Sequence, residues 1–240
     1  MPISKNYSNK KIIAIIPARA GSKRVPKKNY RDFCGKPMIS WVIQKLQTLD
    51  CIDEIIVSTD STEIKSIAEK SGAKVPFLRP KEISDDFTTA SAVIKHALDW
   101  YVANNEMPFL VFAVYPTAVL VPAERFLKSI DIIDQSKSTK LITVQKYSHP
   151  IERAIFKNSK DLSAPYSPKN IFKRTQDLEA SYYDAGQFYL SYPEVILNGE
   201  NFLTDSSMLV LSRDEAIDID SEEDFLSATE IFQNLYLENV

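Results

Sequence analysis

The stretch "IIAIIPARAGSKRVPKKN", Ile12 to Asn29, decides the fold. Its first five residues form a continuous aliphatic run, the pattern of a strand buried on both faces. Pro17 ends the run, and the ten residues from Arg19 to Lys28 then carry Arg19, Lys23, Arg24, Lys27 and Lys28. A buried strand that feeds directly into a charged loop fits an open α/β sheet, where ligands collect beyond the carboxyl ends of the strands.

Downstream, the pattern alternates. Pro37 opens a helix with Ile39, Val42, Ile43, Leu46 and Leu49 on one face. "EIIVST", Glu54 to Thr59, is the second strand and runs into Asp60. Ser61 caps the next helix, which turns Ile64, Ile67 and Ala68 inward and stops at Gly72. "KVPFLRP" is expected as a short, irregular third strand weakened by Pro76, and Thr89 to Asn104 as a helix. "PFLVFAVYPT" is the most apolar strand and belongs at the sheet centre, with a helix from Pro122 to Gln135 after it. This alternation predicts a Rossmann-like three-layer α/β/α domain with a mostly parallel sheet.

The regularity breaks after Lys140. "LITVQKYSHP" is strand-like, but 147–177 is polar and interrupted by Pro150, Pro165 and Pro168, as an inserted subdomain or interface would be. "QFYLSY" and "SSMLVLS" resume strand character. Ser221 then starts a last helix through Asn239, with Phe225, Leu226, Ile231 or Phe232, and Leu235 inward. The expectation is one domain over 1–240, with 140–190 as a subdomain in its C-terminal half.

Composition narrows the partners. The 240 residues include 29 basic and 32 acidic side chains, a formal charge of −3. General nucleic-acid affinity needs a basic excess over a whole face, whereas here it is confined to one loop, so a small polyanion is the expected ligand. Two cysteines, Cys34 and Cys51, and two histidines, His96 and His149, are too few for a disulfide framework or a zinc site. The polar start "MPISKNYSNKK" lacks the apolar core of a signal peptide, and no apolar run approaches the roughly 18 residues of a membrane span. A cytoplasmic protein is expected.

Two features bear chemistry. Gly21 and Ser22 permit close backbone approach to phosphate oxygens, Arg19 grips phosphate with two donors, and Lys23 and Lys28 add point charges. The loop has neither the Walker A nor the dinucleotide spacing, and a merely solvated basic loop is the competing reading. In "AIDIDSEEDF", Asp218 and Asp220 alternate with apolar residues, so on an extended strand both carboxylates face one way. Such a pair suits Mg²⁺. Alternatively, the two are acids favoured by the dipole of the helix behind Ser221, the reading adopted for Glu222, Glu223 and Asp224.

The ordered set "IIPARAGSKRVPKKN", "IIVSTD", "FLRP", "YPT" and "IDID" resembles the CMP-sugar synthetases, cytidylyltransferases that activate nonulosonic acids. The likeness runs from Ile12 to about Phe232, and "RTQDLEASYYDAGQFYL" is most similar to the pseudaminic acid branch. The resemblance implies that Arg19, Ser22, Lys23 and Lys28 handle the triphosphate of CTP, with Asn29 beside the ribose. It places Arg79 and the Thr88–Thr89 region near cytosine, and Mg²⁺ (or Mn²⁺) on Asp218 and Asp220. Arg19, Lys23, Lys28 and Asp218 become the catalytic set. Arg174, in a region where the dimer partner contributes, Tyr115, Tyr183, Asp184 and Gln187 become the sugar-site candidates.

Tyr115 stands where sialic acid enzymes carry glutamine, and Tyr183 where they carry an arginine. A homodimer acting on CTP and a nine-carbon sugar acid is therefore expected, with no nucleic-acid or membrane partner. N-acetylneuraminic, legionaminic or Kdo activation is the nearest alternative, although "VPKKN" is unlike the Kdo loop. A non-catalytic nucleotide binder is the alternative of another class. His149 is expected as a loop residue, and Arg24 and Lys27 as solvent-facing.

Overall fold

The computed structural model describes residues 10–236; most of the polar start, and the expected continuation of the last helix to Asn239, lie outside the described residues. Element order follows the aliphatic pattern: β1 (Ile12–Pro17), a two-residue ribbon β2 (Asp32–Phe33) and β3 (Lys36–Pro37), α1 (Met38–Gln47), β4 (Glu54–Ser58), α2 (Thr62–Lys70), α3 (Ala90–Asn104), β5 (Leu110–Val114), α4 (Ala123–Gln135) and β6 (Lys140–Lys146). A hairpin of β7 (Ile155–Lys157) and β8 (Ser163–Pro165) follows, then β9 (Tyr182–Ser191), α5 (Pro193–Leu197), β10 (Ser207–Val210) and α6 (Glu222–Tyr236).

The central sheet has the order β10-β6-β9-β5-β1-β4. β1 pairs in parallel with β4 and β5, and β10 with β6, while β9 runs antiparallel between β5 and β6. The apolar run of β5 is interior, as its composition predicts. Alternation along β1 explains the layers, because successive side chains point to opposite faces. Ile12, Ala14 and Ile16 pack with residues of α1, α2, α4 and α6, whereas Ile13 and Ile15 pack with residues of α3 and α5. Both faces are covered, as the three-layer expectation requires.

Three expectations are corrected. "KVPFLRP" forms no strand, only isolated bridges from Ile56 to Lys74 and from Thr59 to Leu78; Pro76 between them has no N–H to extend the ladder. Asp218 and Asp220 lie on irregular chain after β10 rather than on a strand. In α6 the inward stripe is Phe225, Ala228 and Phe232. Leu226 and Leu235 are 60% and 48% exposed, since they fall off that helical face.

The flanks of 140–190 are β6 and β9 of the central sheet, so only 147–181 stands outside it. That segment exposes Ile155, Phe156, Leu162, Tyr166 and Phe172, the last 93% accessible.

Candidate active site

A cleft of about 470 Å³ opens beyond the carboxyl ends of β1 and β5, lined by Pro17 and Tyr115 among others. The basic loop forms one wall. Buried Val25 anchors it, and Lys27 adopts a left-handed conformation, φ 59°, that turns the chain into a short 3-10 turn over Lys28–Tyr30. Lys28 and Asn29 thereby line the cleft. Lys28 Nζ donates to the Ile219 carbonyl at 2.5 Å and lies 3.7 Å from Asp220 Oδ1. Asn29 Nδ2 donates to the Arg19 carbonyl at 2.8 Å. Arg24 is exposed, as expected, and it also lines the cleft and pairs with Asp220 at 2.7 Å, because the acidic segment passes opposite it.

Arg19 Nη1 donates to Asp86 Oδ1 at 2.7 Å and to the Asp85 carbonyl at 3.1 Å, and Lys23 pairs with the other Asp86 oxygen. These cations, Lys23 first, hold the Asp86 carboxyl below its usual range. Asp86 thus sits as an internal anion on two side chains predicted to bind phosphate.

Arg79 lines the cleft only 6% exposed, with its nearest carboxylate, Asp60, 3.9 Å away. Burial pushes its pKa down. Among the described residues its Nε and Nη2 have no hydrogen-bond partner. A buried guanidinium with free donors is costly unless a ligand completes it.

Opposite stand the acids. Burial, then the charge of Asp220, push the Asp218 carboxyl up, against Lys28 and Arg24. Asp218 faces Gly186, whose φ of +60° L side chains rarely adopt. Gly186 belongs to a wide bulge in β9: Tyr189 pairs opposite Ile142 and Asp184 opposite Val144, so five steps on β9 span two on β6. This odd count breaks the usual alternation and brings Tyr189 and Asp184 together. The Tyr189 hydroxyl donates to Asp184 Oδ2 at 2.5 Å, and Asp184 Oδ1 accepts the Gly186 N–H at 2.9 Å. Tyr115 meets Tyr189 edge-on with ring centroids 6.0 Å apart. Burial raises both phenols, so at neutral pH they keep their protons.

Tyr115, Asp184 and Tyr189 also border a second cavity of about 380 Å³, otherwise lined mainly by Ile94, Ala113, Ile196, Phe202 and Leu203 with a few polar neighbours. Nothing in the local sequence marks this apolar lobe.

The cleft therefore gathers Arg19, Lys28, Asn29, Arg79, Tyr115, Asp184, Asp218 and Asp220 from the sequence-derived set. Ser22 and Lys23 are not among its lining residues. Thr89 instead caps α3, accepting the Ala92 N–H at 3.2 Å, and Thr88 lines the cleft. Arg174 is exposed and bonded to Asp177 at 2.7 Å, outside the lining. Tyr183 donates to Gln145 Oε1 at 2.8 Å, and Gln187 is fully buried; neither lines the cleft. His149 lies in a loop beside Ser148. Thr88 belongs to the Thr88–Thr89 region expected near cytosine, whereas Arg24, Asp86 and Gly186 are additions; the adjacent acids of "SDDFTT" were the visible signal for one of them.

Residues 13–240 match the family model described as "Cytidylyltransferase". A pseudaminic acid cytidylyltransferase of Campylobacter jejuni serotype O:2 is 37% identical over 216 residues, covering 89% of this chain and 93% of that protein. A CMP-N,N'-diacetyllegionaminic acid synthase of Legionella pneumophila is 30% identical, covering 90% of this chain and 93% of that protein. A CMP:2-keto-3-deoxy-manno-octonic acid synthetase solved with CTP superposes with a TM-score of 0.70 at 15% identity, over 93% of this chain and 99% of that one, a likeness of fold.

Proposed function

The chain belongs to the cytidylyltransferase family, and from that premise we propose that it joins CTP to a nonulosonic acid, pseudaminic acid foremost, releasing pyrophosphate. One observation carries the reading: a cationic cleft with paired carboxylates meets an apolar lobe at Tyr115, Asp184 and Tyr189. The first suits a triphosphate, the second the acyl groups of a modified sugar acid.

In this reading the anomeric hydroxyl attacks the α-phosphorus. A new P–O bond forms as the bond to the β-phosphate oxygen breaks, and the hydroxyl proton leaves to a base. The chain's contribution is positioning and charge neutralisation. Lys28 supports the α-phosphate, while Arg19 and Lys23 hold the departing pyrophosphate after exchanging Asp86 for it. Arg79 and Thr88 sit at the cytosine end of the cleft. Asn29 lies beside the ribose. Tyr115 and Asp184 face the sugar; Tyr115 replaces the glutamine of sialic acid enzymes.

Asp218 and Asp220 fit a divalent cation, because both carboxylates line the cleft and the charge of Asp220 makes Asp218 harder to ionise without a further cation beside it. These two residues would hold Mg²⁺ (or Mn²⁺). Such an ion, when bound, acidifies a coordinated hydroxyl and offsets phosphate charge.

The exposed apolar side chains of 147–181 support a homodimer formed through that segment, and Arg174 is placed there to serve a partner's sugar site. Among the described residues no helix is long and apolar enough to cross a membrane. Use of CTP, an intracellular nucleotide, supports a cytoplasmic reaction.

Incubation with CTP and pseudaminic acid should yield the CMP-sugar by mass and one equivalent of pyrophosphate; absence of both overturns the reading. The internal anion gives a further expected result. Asp86→Asn should tighten CTP binding about threefold in calorimetry at low salt, the scale of an exposed ion pair. Unchanged or weaker binding would show that Asp86 does not compete with the triphosphate.

A further inference from the structure

Residues 212–220 carry both cleft carboxylates, yet this segment is neither helix nor strand. Two side-chain amides reach it from the sheet. Gln145 Nε2, on β6, donates to the Ser212 carbonyl at 2.8 Å and to the Ala216 carbonyl at 3.0 Å. Gln187 Nε2, in the β9 bulge, donates to the Ala185 carbonyl at 2.8 Å and to the Ile217 carbonyl at 3.2 Å. The second amide therefore ties the bulge to the residue directly before Asp218. Tyr183 donates to Gln145 Oε1 at 2.8 Å, which orients that amide with its NH₂ toward the segment.

Both glutamines are buried, and Gln187 Oε1 has no hydrogen-bond partner among the described residues. An apolar side chain of similar volume would avoid that unmet acceptor. Leaving one end of a buried amide unsatisfied makes sense where the other end does work that packing cannot do.

We propose that Gln187 and Gln145, the latter oriented by Tyr183, are positioning residues that fix Asp218 and Asp220 for cation binding. The proposal rests on the reading of those carboxylates as the cation site. It reassigns Gln187 and Tyr183, which the sequence pattern placed on the sugar, to the support of the carboxylate segment. Loss of an outer hydrogen bond to a metal-binding group weakens metal affinity about 10- to 100-fold.

The test uses Mn²⁺ binding by electron paramagnetic resonance on the full chain, beside calorimetric CTP binding in EDTA. Gln187→Met keeps volume and removes the donors. It should weaken Mn²⁺ about tenfold while leaving metal-free CTP affinity within about twofold, a split that general unfolding cannot produce. Tyr183→Phe should move Mn²⁺ affinity in the same direction by about threefold, as a change one bond further out. Wild-type Mn²⁺ affinity in Gln187→Met overturns the proposal. Should that variant fail to fold, wild-type affinity in Tyr183→Phe does so. Asp218→Asn run in parallel separates the two readings: if it binds Mn²⁺ like the wild type, the cation site itself is wrong and the proposal falls with it.

Discussion

Lys28→Ala is expected to lower turnover in pyrophosphate release by about 10²- to 10³-fold, the cost of removing one preorganised group from developing charge. Lys28 is half-buried, its ammonium held against the Ile219 carbonyl and close to Asp220. The charge is thus already fixed in the cleft before any substrate arrives. Removing it leaves the apolar core untouched, since Val25 and the β1 side chains anchor the loop independently. Circular dichroism and Tm should therefore stay near wild type while turnover collapses. Lys28→Arg should recover only part of the loss, because a planar guanidinium does not replace a compact ammonium at a confined point. Near-normal turnover in Lys28→Ala would remove this residue from the transfer chemistry.

Asp218→Asn carries the second large effect, in two opposite directions. Turnover should fall at least about tenfold and the half-saturating Mg²⁺ concentration should rise sharply, because one of the two proposed carboxylate ligands is lost. Stability should move the other way. Burial and Asp220 raise the Asp218 carboxyl above its ordinary value. A carboxyl raised on folding favours the folded state in its protonated form, and that stability is lost as pH rises through the folded pKa. Asp218 is nonetheless exposed on the cleft wall, so solvent screens much of this effect, and in EDTA at neutral pH the neutral amide should hold Tm level or raise it only slightly. The advantage over wild type should shrink as pH falls through the raised pKa of Asp218 and be gone once pH is below that of an unperturbed aspartate. An inert site made more stable is the signature of a charge kept for function. Unchanged Mg²⁺ dependence would overturn the cation assignment.

Much of the fold was legible because burial writes itself into composition. Ile12 to Ile16 has no polar position and lies in the sheet with helices on both faces. The basic loop was legible for a related reason: its charges are contiguous in sequence, so their convergence needed no tertiary information. Asp218 and Asp220 were found through their alternation, although the strand inferred from it does not exist. An extended segment held by side chains presents alternate residues much as a strand does.

The misplacements have one physical source, which is long-range geometry. The β9 bulge puts Asp184 and Tyr189 side by side across five residues, a separation that strict alternation would send to opposite faces. With that parity broken, Gln187 turns inward and Tyr183 turns to Gln145. Gly186, with its positive φ, was the one local mark of the bulge. Arg24 does face solvent, but its pairing with Asp220 was not legible, because that partner lies far away in sequence and next to it in space. The apolar lobe is assembled from α3, β5, β9, α5 and the loop after α5, and no single one of these segments shows it.

In the proposed function this cleft activates a nonulosonic acid with CTP and its apolar lobe selects the pseudaminic type. Steady-state pyrophosphate release with CTP, comparing kcat/KM for pseudaminic, N-acetylneuraminic, legionaminic and Kdo acids, tests it most directly. A preference for pseudaminic acid of at least about tenfold over each of the others is predicted, the discrimination expected from one well-filled or misfilled substituent pocket. Equal kcat/KM on N-acetylneuraminic acid would contradict it.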